Sequence, residues 1–485
     1  LPVAGHIQEL AMLVVISDLH FEEEGSRNIV GDGSLAPIKV RRNIRLNAFT
    51  KIIDRLAKQA VHDRAQKMDL VLAGDIFDLH RTALWFQNNS REVRPYVSAD
   101  KVDANLEARV LQILHAINEP DGPVRPILEA LQHLVQRGVY VDTHGLECPF
   151  PVPVELHYIP GNHDRLANAT PAIRRTVRQF LGLPAGAAPF RHALVFDEER
   201  TLIRHGHEYD HFNFSQDLRG VEQLPLHLPQ EAYDQAPFGD FITVDVASGI
   251  SEEFRRHHGD DNILRDALLR MVYERILEVD DLRPLRAIFN YLLYPPEPEC
   301  TPEQLWRKAI QPVAINLLEA LYNHPFLLGW LDKLEKKGLP DIYDAVQAVL
   351  SLRAWRWGGL SLAKVQFLSD LSLRFYNEEA GPQSLAAREE TIVNERHLFV
   401  IAGHSHKPRV ELIGHPAAGE QYYVDTGTWR RRIPATPDFK SFGRVKSLTY
   451  AVVYGPNEDG GNPPVASKTA SLDYWSGVTQ RWPNE

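Results

Sequence analysis

Two cysteines, Cys148 and Cys300, are all that 485 residues contain. That number excludes a metal cage built from thiolates, and no disulfide framework is expected. Long apolar runs are missing as well. The longest near the start, residues 11–16, falls far short of the roughly 18 residues a membrane span needs. Residues 1–10 lack the charged-then-apolar order of a signal peptide, so the expectation is a cytoplasmic protein without a membrane span. Positive charge is also in deficit: 53 Lys and Arg stand against 64 Asp and Glu, a net charge of −11. Nucleic-acid tracks need a cationic surface, so nucleic acid is admitted as a partner but not favoured. No internal repeat is visible.

Histidine is plentiful, with 21 residues. The 44% hydrophobic and 24% charged fractions are those of an ordinary globular chain. The length exceeds one compact core and predicts two domains or one domain with a large insertion. Residues 11–17 and 69–74 are apolar runs that end at polar clusters, as buried strands do. Between them, Ile44, Ala48, Ile52, Leu56 and Ala60 recur at helical spacing. Strand patterns follow at 154–159, 194–196 and 201–203, and return at 398–402, 411–413, 422–425 and 448–454. Helices are predicted at 106–117 and 126–136. From about 213 to 390 the patterns are helical instead, at 263–279, 341–352 and 360–375. Thr301, Pro302 and Gln304 mark a further helix start with a capping box. An α/β core interrupted by a helical block results, with boundaries at 1–212, 213–390 and 391–485. The segment 456–464, rich in Gly, Pro and Asn, reads as a loop.

Five short motifs stand at the ends of strand-like runs: Asp18-Leu19-His20, Gly74-Asp75-Ile76-Phe77-Asp78, Gly161-Asn162-His163-Asp164, His205-Gly206-His207 and Gly403-His404-Ser405-His406. In an extended segment, side chains two apart share a face. On that geometry Asp18 pairs with His20, and His404 with His406. All the donors are carboxylate, imidazole or amide oxygen. This set suits Mn²⁺, Fe or Zn²⁺ better than Cu(I), and it is too rich in nitrogen for Ca²⁺. Ligands at the carboxyl ends of strands fit the crevice rule of α/β sheets.

These motifs, in this order, resemble the signature of the calcineurin-like metallophosphoesterases, over roughly 11–212 and 391–455. The resemblance implies a four-layer sandwich of two mixed β-sheets flanked by helices, here with a large all-helical insertion. It implies two divalent metal ions, with manganese ahead of iron or zinc. Asp18, His20, Asp75 and His406 would hold the first ion. Asp75, Asn162, His205 and His404 would hold the second, with Asp75 bridging. The implied activity is hydrolysis of a phosphomonoester, phosphodiester or pyrophosphate by in-line attack of a metal-bridging hydroxide. The substrate would be small and phosphorylated, with a nucleotide one option. His163 would stabilise charge or protonate the leaving oxygen, Asp164 would orient His163, and Asp78 would accept a hydrogen bond from a ligand histidine. The run His205 to Asp210, and Asp425-Thr426-Gly427-Thr428-Trp429, resemble bacterial members related to UDP-2,3-diacylglucosamine pyrophosphohydrolases. Those enzymes carry Arg where this chain has His163, a departure that argues against a lipid-A substrate.

Other residues have plainer readings beside a functional one. His207 is either a support behind the ligands or a substrate contact. Arg81 and Arg165 follow two of the motifs and are candidate phosphate clamps, with ordinary ion pairing the alternative. Arg430, Arg431 and Arg432 read as a solvated basic run. Trp355 and Trp357 read as core of the helical block. Two competing functions remain beside the hydrolase: a nuclease of the same superfamily and a non-catalytic metal-binding scaffold. The charge is unevenly placed. Residues 213–390 hold 18 Lys/Arg against 28 Asp/Glu, while the rest of the chain holds 35 against 36. The block enters just after the His205 motif and leaves before the Gly403 motif, which predicts an acidic lid over the metals.

Overall fold

The structure, a computed structural model, describes residues 11–89, 92–283, 287–295, 300–322, 324–336, 381–455 and 470–479. The helices expected at 341–352 and 360–375, Trp355 and Trp357, and the loop at 456–464 lie outside the described residues. Fourteen strands are described: β1 (Ala11–Ile16), β2 (Lys67–Ala73), β3 (Val139–Val141), β4 (Glu147–Pro149), β5 (Val154–Ile159), β6 (Ala193–Phe196), β7 (Thr201–Arg204), β8 (Leu282–Arg283), β9 (Phe399–Ala402), β10 (Arg409–Gly414), β11 (Gln421–Asp425), β12 (Arg431–Pro434), β13 (Val445–Tyr454) and β14 (Ser471–Thr479).

A seven-stranded sheet runs β5-β2-β1-β13-β12-β8, with β14 on the other edge of β13. β5, β2 and β1 are parallel, and β13 is antiparallel to β1. The long β13 is shared lengthwise. Its start pairs with β12 and its end with β1. A five-stranded sheet runs β10-β11-β9-β7-β6, in which β11, β9 and β7 are parallel.

Strand alternation explains how the two sheets stack. β1 is buried along its whole length. Leu13 and Val15 face the second sheet and pack with Ile203, Ile401 and Val424. Met12 and Val14 face outward, onto α1 (Leu46–His62), α2 (Ala104–Ile117), α3 (Arg125–Arg137) and α4 (Pro171–Leu181). In α1 the buried residues Phe49, Ile52, Ile53, Leu56 and Ala60 recur every three or four positions. They form the single apolar stripe that a sheet face requires. The far side of the second sheet is covered by Tyr209, Phe214, Leu224, Tyr233, Leu385 and Ile392 on Val400, Ala402 and Tyr423. Helices, sheet, sheet and covering segments make four layers.

Among its described residues, the segment 213–390 is helical apart from β8 and its loops. The capping box at Thr301 is present, with Thr301 accepting from Gln304 N–H and Gln304 accepting from Thr301 N–H. The helix expected over 263–279 is broken in two, Asp260–Arg265 and Ala267–Glu278. Asp266 leaves helical geometry and caps the second helix, accepting from the N–H groups of Leu268 and Leu269. A core of Phe254, Ile263, Val272, Tyr273, Trp306 and Val313 fills the block, and Ile29, Ile38 and Val40 of the first part insert into it.

The joint between the block and the sheets is a buried ion-pair cluster. Arg42 meets Asp281 at 2.7 Å, Arg27 meets Glu22 at 3.0 Å, and Arg430 lies 3.4 Å from Glu22 and 3.5 Å from Asp281. Arg430 is only 2% exposed, which corrects the reading of a solvated run at 430–432. Burial, with Arg42 beside it, pushes the Arg430 guanidinium down to about 10. No helix among the described residues is long and apolar enough to cross a membrane.

Candidate metal centre

β1, β2, β5, β7 and β9 all deliver a motif at their carboxyl ends. The first two are laced together by backbone: Asp18 N–H donates to Gly74 O at 3.0 Å and His20 N–H to Asp75 O at 2.9 Å. The fourth and fifth are joined by Gly403 N–H on His205 O at 2.8 Å.

The backbone at the ligands differs from the extended geometry expected for them. Asp18, His20, Asp75, His404 and His406 have φ of 52°, 46°, 52°, 69° and 58°. These are left-handed conformations, which cost a side-chain-bearing residue on the order of 1–3 kcal/mol each. Asp18 and His20 are therefore placed by left-handed backbone on either side of Leu19, and not by the alignment of a strand. The glycines between are pinned by crowding. A Cβ on Gly161 would collide with Asp75, and one on Gly403 would collide with Asp18 and Ser17.

Two groups of donors result. Asp18, His20, Asp75 and His406 have one ligand atom each within 4.8 Å of the others, and so do Asp75, His205 and His404. Asp75 belongs to both groups. Nε2 of His406 is 3.2 Å from Asp18 Oδ1 and 2.9 Å from Nε2 of His20. Nε2 of His205 is 3.3 Å from Asp75 Oδ2. Asn162 joins the second group, with Oδ1 at 3.0 Å from His404 Nδ1 and 3.3 Å from His205 Nε2. Ligands about 2.0–2.2 Å from one ion lie roughly 3 Å apart, the spacing found here.

Three of the ligand imidazoles are oriented by an acceptor on the other ring nitrogen, which leaves the inward nitrogen bare. His20 Nδ1 donates to Asp78 Oδ2 at 3.1 Å, His205 Nδ1 to Ala73 O at 2.9 Å, and His404 Nε2 to Asp210 Oδ2 at 3.1 Å. Burial opposes charge on Asp75, but His205 and His163 outweigh it and hold the carboxyl well below its usual range. This buried cluster of carboxylates and imidazoles is able to hold divalent metal ions.

Asp78 carries a second imidazole. Its Oδ1 accepts from His163 Nδ1 at 3.0 Å, so one carboxylate holds both a ligand ring and the ring of His163. Asp164 was expected in that role, and the structure corrects this. Asp164 lies beneath the loop and accepts from the N–H groups of Gly161, Ile76 and Phe77 and from Tyr158 OH at 2.8 Å. It is an anchor for the second and third motifs, with burial and nearby Asp75 pushing its carboxyl up to about 6. Arg165 is corrected too. Its guanidinium donates to Asp240 at 2.9 Å and to the carbonyls of Asp234, Pro95 and Val97, so it ties the block to the third motif instead of facing a phosphate. Arg81 is buried between Asp78 at 3.4 Å and Asp280 at 3.3 Å. His207 packs its ring 5.3 Å from that of His205, and burial pushes its imidazole down to about 3.

The late run 425–429 braces the first motif. Thr428 Oγ1 donates to Asp18 O at 2.9 Å, and Ser17 Oγ lies 2.6 Å from Thr426 Oγ1. Asp425 accepts from Ser405 Oγ at 2.5 Å and from Gly427 N–H at 2.9 Å. Burial pushes its carboxyl up to about 7 from 3.8. Between those values the unfolded chain is ionised while the folded one is not, so unfolding becomes easier as pH rises. Asp425→Asn removes that penalty. Its expected stabilisation is absent near pH 3.5, grows through pH 4–7 and levels off above, on the order of 4 kcal/mol. Thermal melts at pH 4, 6 and 8 check this, and a gain that shrinks as pH rises contradicts it.

Two residues beyond the expected set reach the ligand imidazoles. Asp210, at the end of the His205 run, holds His404. Arg283 lies in the helical block, in no motif, and places Nη2 at 3.0 Å from His406 Nδ1.

A family model described as calcineurin-like phosphoesterase matches residues 12–281, more than half of the chain. No curated protein and no solved structure matches it.

Proposed function

Because the chain belongs to the calcineurin-like phosphoesterase family, we propose that it is a binuclear metal-dependent hydrolase of phosphoester bonds. The observation that carries this reading is the pair of donor groups sharing Asp75, with His163 beside them. Two divalent ions held there would lower the pKa of water and offset phosphoryl charge. Mn²⁺ is the first choice, with iron and Zn²⁺ also compatible with imidazole and carboxylate.

The residues divide the remaining work. Hydrolysis forms a phosphorus–oxygen bond to water and breaks the one to the leaving group, whose oxygen then needs a proton. His163 is the donor. Its Nδ1 is taken by Asp78, so Nε2 is the atom that meets substrate. Burial works against a charged ring, but Asp78 and Asp75 outweigh it and raise the imidazole above its usual value, keeping the acid form available near neutral pH. Asp78 fixes the tautomers of His20 and His163 together. Asp210 does the same for His404. The lipid-A-type pyrophosphates are not part of the proposal, because His163 stands where those enzymes carry Arg. The block, tied down by Arg165 and Asp240, borders the site and selects the leaving group.

Metal-free protein given Mn²⁺ is expected to hydrolyse a bis-aryl phosphate, an aryl monophosphate, or both. Two ions bound with no turnover of either would support a scaffold instead. Plasmid nicking that is lost in His163→Ala would move the substrate class to nucleic acid.

A further inference from the structure

β8 brings one residue of the helical block to the metal centre. Leu282 is buried and pairs with Ile433, Arg283 pairs with Pro434, and Ala435 N–H donates to Arg283 O at 3.0 Å. The backbone at Arg283 is thus set by the first sheet. Its guanidinium donates through Nη1 to Asp280 O at 2.8 Å and Leu282 O at 2.7 Å, and through Nη2 to His406 Nδ1 at 3.0 Å. On the opposite side of the ring, His406 Nε2 faces Asp18 and His20. Both ring nitrogens have partners, which settles the orientation of the ring.

A neutral imidazole has one lone pair in its plane. Donation from Arg283 requires that lone pair on Nδ1. Ligation of an ion through Nε2 requires it on Nε2, with the proton on Nδ1. The two states exclude each other. His20, His205 and His404 are tied to acceptors, which favour ligation, while His406 is tied to a donor, which opposes it. A guanidinium cannot lose its proton to resolve the conflict.

We propose that Arg283 is a substrate-binding residue that is released from His406 when the first ion binds and then donates to an oxygen of the bound phosphoryl group. The proposal rests on the metal-centre reading above. The anchoring of Nη1 on two carbonyls keeps the guanidinium at the edge of the site, and its planar donors match phosphoryl oxygens. Arg283 thereby exchanges a ligand imidazole for the substrate, and the block contributes directly to recognition.

The test uses full-length wild-type, Arg283→Gln and Arg283→Lys proteins stripped of metal. Each is titrated calorimetrically with Mn²⁺ alone, and the Mn²⁺-loaded protein is then titrated with inorganic phosphate. Arg283→Gln is expected to bind the first Mn²⁺ roughly tenfold tighter and phosphate roughly tenfold more weakly, the factor for one charge-assisted hydrogen bond. Arg283→Lys is expected to fall between wild type and Gln in phosphate affinity. A merely structural role would weaken both ligands together, and that result, or no change in either, overturns the proposal. Wild-type protein that takes up no Mn²⁺ overturns the metal-centre reading and this inference with it.

Discussion

Asp75→Asn is expected to abolish turnover and to leave the protein with at most one ion. Asp75 is the carboxylate common to both donor groups, with Oδ2 at 3.3 Å from His205 Nε2 and 3.7 Å from His20 Nε2. With two ions bound there, an amide in its place would remove a negative charge from between them and leave neutral imidazoles, Asn162 and Asp18 to hold them. Loss of several kcal/mol of charge stabilisation corresponds to a rate loss of about 10³-fold or more. The fold should survive. The other role of Asp75, accepting from His163 N–H at 2.8 Å through Oδ1, can be filled by the amide oxygen of Asn. Elemental analysis, activity and circular dichroism on one preparation test the statement together. Unchanged metal content would show that the two groups do not share this ligand.

His163→Ala is expected to behave differently, with metal retained and turnover reduced about 10²–10⁴-fold on a substrate whose leaving group is a poor one. The loss should shrink towards nothing as the leaving group becomes more acidic, because a good leaving oxygen departs without a proton. The pH profile carries the sign. Asp78 and Asp75 raise the His163 imidazole against the effect of burial, so the competent, protonated form persists above the ordinary value of 6.5 and is lost as pH rises through the raised one. That alkaline limb should be absent in the alanine variant. Asp78→Asn tests the two functions of Asp78 together. It disturbs His163 and also His20, so both turnover and affinity for the first ion should fall, the latter by about 10–100-fold. Full activity of His163→Ala on a poor leaving group would remove the acid role.

Much of the site was legible because each motif ends an apolar run, and a parallel sheet brings the ends of such runs together. Asp18, Asp75, Asn162, His205, His404 and His406 lie where that logic puts them. What hid was of three physical kinds. The left-handed backbone at five ligands leaves no mark in sequence, because these positions are not glycine and the strain is held by surrounding hydrogen bonds. That Asp78 holds His163 as well as its expected partner His20, in place of Asp164, could not be read because both carboxylates flank motifs, and only tertiary contacts decide which one meets the ring. Arg283 was invisible because it reaches the site through β8, a two-residue strand with no pattern of its own. Burial also misled in one place. Arg430 follows Trp429 in a basic run that would ordinarily be solvated, yet Glu22 and Asp281 supply buried partners from distant parts of the chain.

One measurement addresses the metal centre most directly: anomalous diffraction from crystals of the full chain loaded with Mn²⁺. Two anomalous peaks roughly 3.5–4 Å apart are expected, with Asp75 between them, His20 and His406 on one, and His205, His404 and Asn162 on the other. A single peak, or peaks that do not share Asp75, would contradict a binuclear centre.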